Sequence, residues 1–326
     1  MKSVLPILAF GAMLLVGCSS SSSSSGGPSG TSTEPQAIKR TIALIPKGTT
    51  HSFWKSVEAG ARKAAEESNV ELIWKGPVKE DDREEQIKVV EDFVVKKVDA
   101  LGVAPLDDSA LVAPIEGAIA QNIPVLIFDS ALKSDKTISF VATDNKAAGA
   151  SGGEKLAATL EGGPSKKVIL LRYQAGSAST TEREEGFLEA AKAAGLEVIS
   201  DNQFGGATTE SAQQAAENLI NRFKKGGSLE FAGVFCPNES TTFGMLRALE
   251  NAGFAGKVKF VGFDASEPLM QAVKDGKIDA LVAQDPEKMG YLAVKTLVDH
   301  LDKKEVEKRI DTGSQLLDKA GIEAKS

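Results

Sequence analysis

Short apolar runs recur along the chain from Thr41 onward, and polar or turn-forming residues bound each of them. Most are continuous stretches of Val, Ile, Leu and Phe, which is typical of parallel strands that helices cover on both faces. The predicted strands are Thr41–Ile45, Val70–Trp74, Ala100–Ala104, Pro124–Asp129, Ile138–Thr143, Lys167–Arg172, Leu196–Ser200, Gly233–Asn238, Lys257–Asp264 and Ala280–Gln284.

Amphipathic stretches with helical periodicity lie between these runs. The predicted helices are Ser56–Glu67, Glu85–Lys96, Leu111–Gln121, Thr181–Ala194, Glu210–Lys224 and Thr242–Ala252. Alternation of strands and helices predicts an α/β protein with doubly wound parallel sheets. Ten strands are too many for one such domain of ordinary size, so we predict two lobes of five strands each.

Polar residues mark three places where the chain is expected to cross between the lobes. The first is Ser139–Asn145, the second follows Gln284 at Asp285-Pro286, and the third lies near Ile310–Gly313. These three crossings form a hinge. They predict an N-terminal lobe of residues 40–143 plus 285–311 and a C-terminal lobe of residues 144–284 plus 312–326.

The first 17 residues have the features of a secretory signal peptide. Lys2 precedes an apolar stretch from Val4 to Val16, which is shorter than the roughly 20 residues that span a bilayer. With Gly17 and Cys18 the segment resembles a bacterial lipobox, which implies cleavage before Cys18 and lipidation of its thiol. An ordinary signal peptide and an uncleaved anchor helix are the alternatives. Residues 18–39, rich in serine and glycine, predict a flexible tether to an extracytoplasmic membrane surface.

Composition narrows the class of protein. The chain has 326 residues, is 42% hydrophobic and 25% charged, and carries a net charge of −7. The acidic balance argues against nucleic-acid binding, which uses basic patches. If Cys18 carries lipid, Cys236 has no disulfide partner, and its apolar neighbours predict a buried, inert thiol. We expect a monomer without a cofactor.

Polar and aromatic side chains follow the predicted strands, where ligands bind in open α/β sheets. They include His51, Phe53 and Trp54 after the first strand, Asp129 and Ser130 after the fourth, Arg183 after the sixth, and Asn238, Asp264 and Gln284 at the ends of the last three. Asp accepts hydrogen bonds from sugar hydroxyls, Arg donates to them, and Asn or Gln does both. Aromatic faces cover the C–H faces of a sugar ring. The set predicts a polyhydroxyl ligand.

Nearly all of the chain after the tether resembles the ribose-type branch of the periplasmic sugar-binding proteins of ABC importers. The segments that carry the resemblance are Thr41–Ile45, Ser52–Trp54, Pro124–Asp129, Glu182–Phe187, Val234–Glu239, Val261–Asp264 and Ala283–Pro286. The resemblance implies a periplasmic binding protein type I fold. It also implies that Phe53, Trp54, Asp129, Arg183, Asn238, Asp264 and Gln284 contact a monosaccharide.

Two positions depart from the family pattern, and a third position is a further candidate contact. Ribose binders usually have Asn where this chain has His51, and Arg where it has Ser130. Loss of that Arg removes a hydroxyl donor, so another pentose, a hexose or a small polyol is an alternative to ribose. Phe204 is a candidate for an aromatic contact from the second lobe.

Catalytic and metal-binding motifs have weaker support. Gly149–Gly153 matches the G-x-S-x-G pattern of hydrolases, but its surroundings predict a helix, where small residues allow close packing. Nucleotide-binding glycine motifs are missing, and two histidines with one spare cysteine provide no metal cluster. The charge runs Asp107-Asp108 and Glu80-Asp81-Asp82 are interpreted as solvated faces, with a calcium site as the alternative.

We therefore predict a non-enzymatic receptor that closes on a monosaccharide by hinge bending and delivers it to the transmembrane subunits of an ABC permease. The alternative is a sensory receptor that presents the closed complex to a chemoreceptor or a sensor kinase. The sequence does not separate the two.

Overall fold

Two six-stranded sheets with helices on both faces, and one sheet of two short strands, make up the part of the chain that the structure describes. The computed structural model describes residues 39–324. The predicted signal peptide, the lipidation site Cys18 and all of the predicted tether except Lys39 lie outside these residues. No helix within 39–324 combines the length and apolar character that a membrane crossing requires.

Fourteen strands are described: β1 Thr41–Ile45, β2 Glu71–Trp74, β3 Ala100–Val103, β4 Val125–Phe128, β5 Phe140–Ala142, β6 Lys167–Arg172, β7 Glu197–Phe204, β8 Lys224–Lys225, β9 Ser228–Leu229, β10 Gly233–Phe235, β11 Lys259–Phe263, β12 Ala280–Gln284, β13 Arg309–Asp311 and β14 Ser314–Asp318. The first sheet has the order β13-β5-β4-β3-β1-β2 and the second the order β14-β12-β11-β10-β6-β7. Apart from β14, which pairs antiparallel with β12, the neighbours in both sheets are parallel. The predicted fold class is confirmed.

Ten helices accompany these strands: α1 Ser52–Glu67, α2 Arg83–Lys96, α3 Val112–Ala120, α4 Asn145–Thr159, α5 Ala178–Ala193, α6 Thr209–Phe223, α7 Glu239–Ala252, α8 Glu267–Lys274, α9 Pro286–Leu301 and α10 Lys319–Glu323. Several begin earlier than predicted. As a result Phe53 and Trp54 lie in the first turn of α1, and Arg183 lies within α5.

Each sheet is buried on both faces because its central strands are mostly apolar. One face of the first sheet packs against α1 and α9 through Trp54, Val57 and Leu297, and the other packs against α2 and α3. In the second sheet, α6, α7 and α8 cover one face, while α4 and α5 cover the other through Leu156 and Phe187. Buried strands of this kind hold the strand ends, and the side chains that follow them, in fixed positions.

Three segments of the chain pass from one sheet to the other: residues 143–144 after β5, Asp285 after β12, and residues 312–313 between β13 and β14. They are joined by hydrogen bonds. Thr143 Oγ1 donates to Gln284 Oε1 at 3.0 Å and lies 3.3 Å from Thr312 Oγ1. The three crossings therefore form one hinge, as predicted.

The G-x-S-x-G match lies inside α4, as the sequence predicted. A Cβ on Gly149 would lie 2.0 Å from the carbonyl oxygen of Arg183, and a Cβ on Gly186 would lie 2.0 Å from that of Lys146. These glycines let α4 and α5 pack with their backbones in contact. Ser151 donates to the carbonyl oxygen of Ala148 within the helix, which is a structural role.

Candidate functional site

A cavity of about 30 Å³ lies between the two sheets, at the carboxyl ends of their strands. The lining residues come from both sheets: Lys47, His51, Phe53, Trp54, Glu80 and Asp129 from the first, and Tyr173, Ser179, Thr180, Arg183, Asn238, Glu239, Asp264 and Gln284 from the second or the hinge. Eight of the ten predicted site residues are among them.

Asp129 and Asp264 lie at equivalent positions, directly after β4 and β11. Both have a left-handed backbone, with φ of 61° and 67°, which is uncommon for a residue with a side chain. Both N–H groups stay in their sheets, because Asp129 donates to Val141 and Asp264 donates to Val282. The turn away from the strand therefore occurs at the aspartate itself. Strained conformations of this kind concentrate at ligand sites.

Lys47 is the cationic partner of Asp129. Its Nζ lies 3.0 Å from Asp129 Oδ2, and both side chains are almost fully buried. The same ammonium donates to Ser177 Oγ at 3.2 Å and to Ser179 Oγ at 2.9 Å, at the start of α5. Lys47 thus neutralises a carboxylate of the first sheet and binds the second sheet at the same time.

Glu80 accepts hydrogen bonds from three side chains at the same end of the cavity. His51 Nδ1 lies 2.7 Å from Glu80 Oε1, Trp54 Nε1 donates to that oxygen at 2.6 Å, and the Tyr173 hydroxyl donates to Glu80 Oε2 at 2.5 Å. Burial lowers the pKa of His51, but the Glu80 carboxylate together with the charges of Glu239 and Asp264 outweighs burial and raises that pKa to about 9. Burial would raise the pKa of Glu80, yet its partners lower that pKa to about 2. Both groups are charged at neutral pH.

Glu239, the first residue of α7, closes the cavity from the second sheet. Its carboxylate accepts hydrogen bonds from the backbone N–H groups of Ser52 and Phe53, at 3.3 and 3.0 Å. Those groups are the free donors at the N-terminus of α1, where the helix dipole favours an anion. One lobe therefore caps the first helix of the other.

Arg183 is buried with one donor left over. Its Nε donates to Asn145 Oδ1 at 2.8 Å, its Nη1 donates to the carbonyl oxygen of Pro237 at 3.0 Å, and its guanidinium lies 4.0 Å from the centre of the Phe263 ring. Among the described residues, Nη2 has no hydrogen-bond partner. A buried donor without a partner is costly, so we expect a water molecule or a ligand oxygen to accept from this atom.

Asp264, Gln284 and Asn238 are held by neighbours on the second sheet. Asp264 accepts from Gln284 Nε2 at 2.8 Å and from the Glu239 N–H at 2.9 Å. Burial raises the pKa of Asp264 to about 6, against the opposing effects of Arg183 and Gln284. Asn238 is the N-cap of α7 and accepts from the N–H of Thr241. These bonds fix the orientation of the polar groups on this wall.

Two predicted site residues, Ser130 and Phe204, lie outside the lining of this cavity. Ser130 is buried, and its hydroxyl accepts a hydrogen bond from the N–H of Ser179 at 3.1 Å, so it joins the two sheets. Phe204 ends β7, is 43% exposed and lies beside Arg172. The strand continues four residues further than predicted, which places Phe204 on the sheet and not after it.

Six lining residues were not predicted as ligand contacts: Lys47, Glu80, Tyr173, Ser179, Thr180 and Glu239. Tyr173 directly follows the sixth strand and Lys47 lies two residues after the first, so the rule about strand ends could have found them. Glu239 is next to Asn238 in the sequence. Glu80 contradicts its prediction, because the charge run that was interpreted as a solvated face contains this buried carboxylate.

Metal and thiol chemistry have little support in the structure. Within the described range, no group of three or more His, Cys, Asp or Glu side chains could hold a metal ion. Cys236 is buried and free, as predicted, and burial raises its pKa well above the ordinary value for a thiol.

Comparison with known proteins agrees with this architecture. The ribose import binding protein of Bacillus subtilis (strain 168) is 30% identical over 324 residues, covering 97% of this chain and 98% of the relative. The D-ribose/D-allose-binding protein of Pseudomonas aeruginosa is 30% identical over 91% of both chains.

Solved structures are similar over most of the chain. The periplasmic component of an ABC-type sugar transport system from Hahella chejuensis has a TM-score of 0.81 and 36% identity, over 85% of this chain and 99% of that one. A carbohydrate transporter solute-binding protein from Agrobacterium radiobacter, in complex with D-arabinose, has a TM-score of 0.82 and 32% identity, over 88% and 98%.

A family match covers most of the chain as well. The family described as "Periplasmic binding protein domain" matches residues 42–305. Its members bind substrates and do not transform them, so the protein is a binding protein and not an enzyme. The chain belongs to the periplasmic binding protein family and has its type I fold.

Proposed function

We propose that the protein binds an uncharged monosaccharide in the cavity between its sheets, outside the cytoplasm, and delivers it to an ABC permease. The relatives that cover most of the chain are named for ribose and allose, and a similar structure holds D-arabinose. A pentose or a related neutral sugar is therefore the proposed ligand. Phe53, Trp54, His51, Asp129, Arg183, Asn238, Asp264 and Gln284 are its proposed contacts.

The pairing of charges in the cavity supports an uncharged ligand. Lys47 is paired with Asp129, and His51 is paired with Glu80. Glu239 lies on the N-terminus of α1, which would otherwise be a ready site for an anion. A phosphate or carboxylate on the ligand would have to displace one of these anions to reach Lys47, His51 or the N-terminus of α1. Neutral hydroxyls can bind without breaking either pair.

The observation that carries the proposal is the buried Nη2 of Arg183, which has no partner among the described residues and belongs to a cavity wall. A sugar hydroxyl has an oxygen that accepts from a guanidinium and a hydrogen that it can donate to a carboxylate. Asp264, on the same cavity, offers that carboxylate. A single hydroxyl placed between the two would satisfy both groups.

The aromatic pair supports the apolar part of the same ligand. The rings of Phe53 and Trp54 lie 4.9 Å apart at 82°, and Trp54 is held in place by its bond to Glu80. A sugar ring has C–H faces that pack on aromatic side chains while its hydroxyls point sideways. Such a ligand would stabilise the closed state, because only in that state do both sheets contact it.

A thermal-shift screen of the purified protein tests the proposal. The panel contains pentoses, hexoses and polyols, with sugar phosphates and sugar acids of the same carbon skeletons as matched charged probes. We expect at least one neutral sugar to raise the melting temperature and the charged analogues to have little effect. A shift produced only by charged analogues, or by no sugar, would contradict the proposal.

Delivery and anchoring need separate tests. With the partner permease reconstituted in vesicles, we expect the protein to stimulate sugar-dependent ATP hydrolysis. Stimulation of a sensor kinase in place of the permease would favour the sensory alternative. The sequence around Cys18 supports a lipid anchor, so mass spectrometry of the chain from its native cell should show acylation at Cys18, and Cys18→Ser should abolish it.

A further inference from the structure

We propose that Glu80 is a positioning residue of the sugar site, which orients His51 and Trp54 toward the ligand and ties that orientation to closure through Tyr173. The inference rests on the proposed function. Glu80 belongs to the loop between β2 and α2, in a charge run that the sequence assigned to solvent. Its side chain is nonetheless only 8% exposed.

The geometry gives one carboxylate two tasks. Oε1 accepts hydrogen bonds from His51 and Trp54. Both residues lie at the N-terminus of α1 and line the cavity. Oε2 accepts from the hydroxyl of Tyr173, which follows β6 in the second sheet. The Glu80 carbonyl oxygen also accepts from Gln174 Nε2 at 2.8 Å. The bonds to residues 173 and 174 are available only when the sheets are closed on each other.

The bond from His51 Nδ1 to Glu80 sets the role of the imidazole. With Nδ1–H directed at the carboxylate and the ring charged, Nε2 carries a proton and is a donor. The charged groups around the imidazole are Glu80, Glu239 and Asp264, while Lys47 and Tyr173 act on Glu80 itself. A ligand atom that contacts Nε2 must therefore be an acceptor, such as a hydroxyl or ring oxygen of a sugar.

Packing restricts Glu80 to this position. A Cβ on Gly48 would lie 2.7 Å from Glu80 Cγ, so the loop after β1 has no side chain where Glu80 passes. The absence of a side chain at Gly48 therefore leaves the space through which the Glu80 carboxylate reaches its three donors. A carboxamide would fit the same path, but its NH₂ group could not accept from the donors on that side.

The experiment compares the wild type with Glu80→Gln, Tyr173→Phe and the exposed neighbour control Asp81→Asn, all in the full chain. Calorimetry measures affinity for the sugar found in the screen, and thermal unfolding checks that each variant is folded. NMR follows the His51 titration. The chain has only two histidines, so a His300→Gln background assigns the signal.

We expect Glu80→Gln to weaken sugar binding at least about 10-fold. The same change should lower the pKa of His51 toward its ordinary value. Tyr173→Phe should weaken binding while the His51 titration stays high, because it removes only the contact between the sheets. Asp81→Asn should match the wild type. If Glu80→Gln binds sugar as tightly as the wild type, or leaves the His51 titration unchanged, the inference is wrong. A wild type that binds no sugar contradicts the proposed function, and the NMR result still decides whether Glu80 holds His51.

Discussion

Asp129 and Asp264 are related by position in the two sheets, and both turn the chain into a left-handed conformation at the point where a central strand ends. Their surroundings differ. Asp129 is neutralised by Lys47, whereas Asp264 is held by Gln284 and the Glu239 N–H and has a pKa raised by burial to about 6. The repeated backbone geometry places one carboxylate from each lobe on the same cavity.

Replacing Asp264 tests the role of the second carboxylate. Asp264→Asn keeps a residue that tolerates the left-handed backbone, and it should weaken sugar binding by at least ~2 kcal/mol, about 30-fold, because a carboxamide cannot accept from all of its partners. Asp264→Ala should in addition lower fold stability by about 1 kcal/mol, since alanine is strained at that φ. Calorimetry and urea unfolding measure the two effects. The exposed Asp275→Ala, at an ordinary φ of −76°, is the control. Equal affinity in Asp264→Asn and wild type would contradict the assignment.

Glu239→Gln tests the contact between α7 and the start of α1. The variant loses a charge-assisted cap that exists only across the cavity, so we expect sugar affinity to fall by about 1–2 kcal/mol. Affinity falls because the closed state is less stable in the variant than in the wild type. Small-angle scattering without sugar should therefore show a larger mean radius of gyration for the variant. Glu267→Gln, in the exposed first turn of α8, should leave both quantities unchanged. A compact, tightly binding Glu239→Gln would show that the cap does not contribute to closure.

Lys47→Met should be among the most destabilising single changes in the cavity. It leaves the buried carboxylate of Asp129 without its cation, which costs about 3–5 kcal/mol in comparable pairs. Urea unfolding measures the loss. The double variant Lys47→Met/Asp129→Asn removes the stranded charge and should recover part of the stability. The exposed Lys55→Met is the matched control. No recovery in the double variant would mean that the ion pair is not the cause.

Stability should depend on pH through His51. Its folded pKa is raised from 6.5 to about 9, so its contribution is fully present below pH 6.5 and is lost as pH rises through 9. We expect wild type to lose up to about 3 kcal/mol between pH 6.5 and 9.5, relative to His51→Asn. The raised carboxyl groups of Asp264 and Glu184, with pKa values of about 6 and 7, complete most of their titration at lower pH. Parallel stability curves for the two proteins across this window would contradict the pairing with Glu80.

Glycine substitutions test how closely α9 packs against α1. A Cβ on Gly290 would lie 1.9 Å from the carbonyl oxygen of Val57 in α1, so Gly290→Ala should destabilise the protein by about 1–3 kcal/mol. Gly117 in α3 has open space around the same position. Gly117→Ala should therefore stabilise slightly, by about 0.5–1 kcal/mol. Melting temperatures measure both, and a neutral Gly290→Ala would show that the two helices separate easily.

The central strands of both sheets were predicted well because most of their residues are apolar. Thr41–Ile45, Lys167–Arg172 and Ala280–Gln284 match to the residue. Strand β13 and strand β14 were missed because Arg309–Asp311 and Ser314–Asp318 contain mostly polar, exposed residues, and they join the sheet edges through pairing and not through apolar pattern.

Cavity residues that directly follow strands could be predicted from the sequence. A residue in a loop that the other sheet buries could not. Asp129, Asp264 and Gln284 directly end apolar runs, so the rule for α/β sheets indicates them. The burial of Glu80 depends on Tyr173, which is 93 residues away, and no local pattern contains that contact. The predicted strand ended at Ser200 because the polar end of β7 gives no signal that the strand continues to Phe204.

Calorimetric titration of the wild type and Arg183→Lys with the best neutral sugar from the screen tests the central claim most directly. Lysine keeps the charge but cannot supply both the bonds that Arg183 makes to Asn145 and Pro237 and the donor that Nη2 leaves free. We expect one sugar per wild-type chain and an affinity at least about 30-fold weaker in the folded variant. Equal affinities, or no neutral monosaccharide bound by the wild type, would contradict a cavity in which both lobes hold one uncharged sugar.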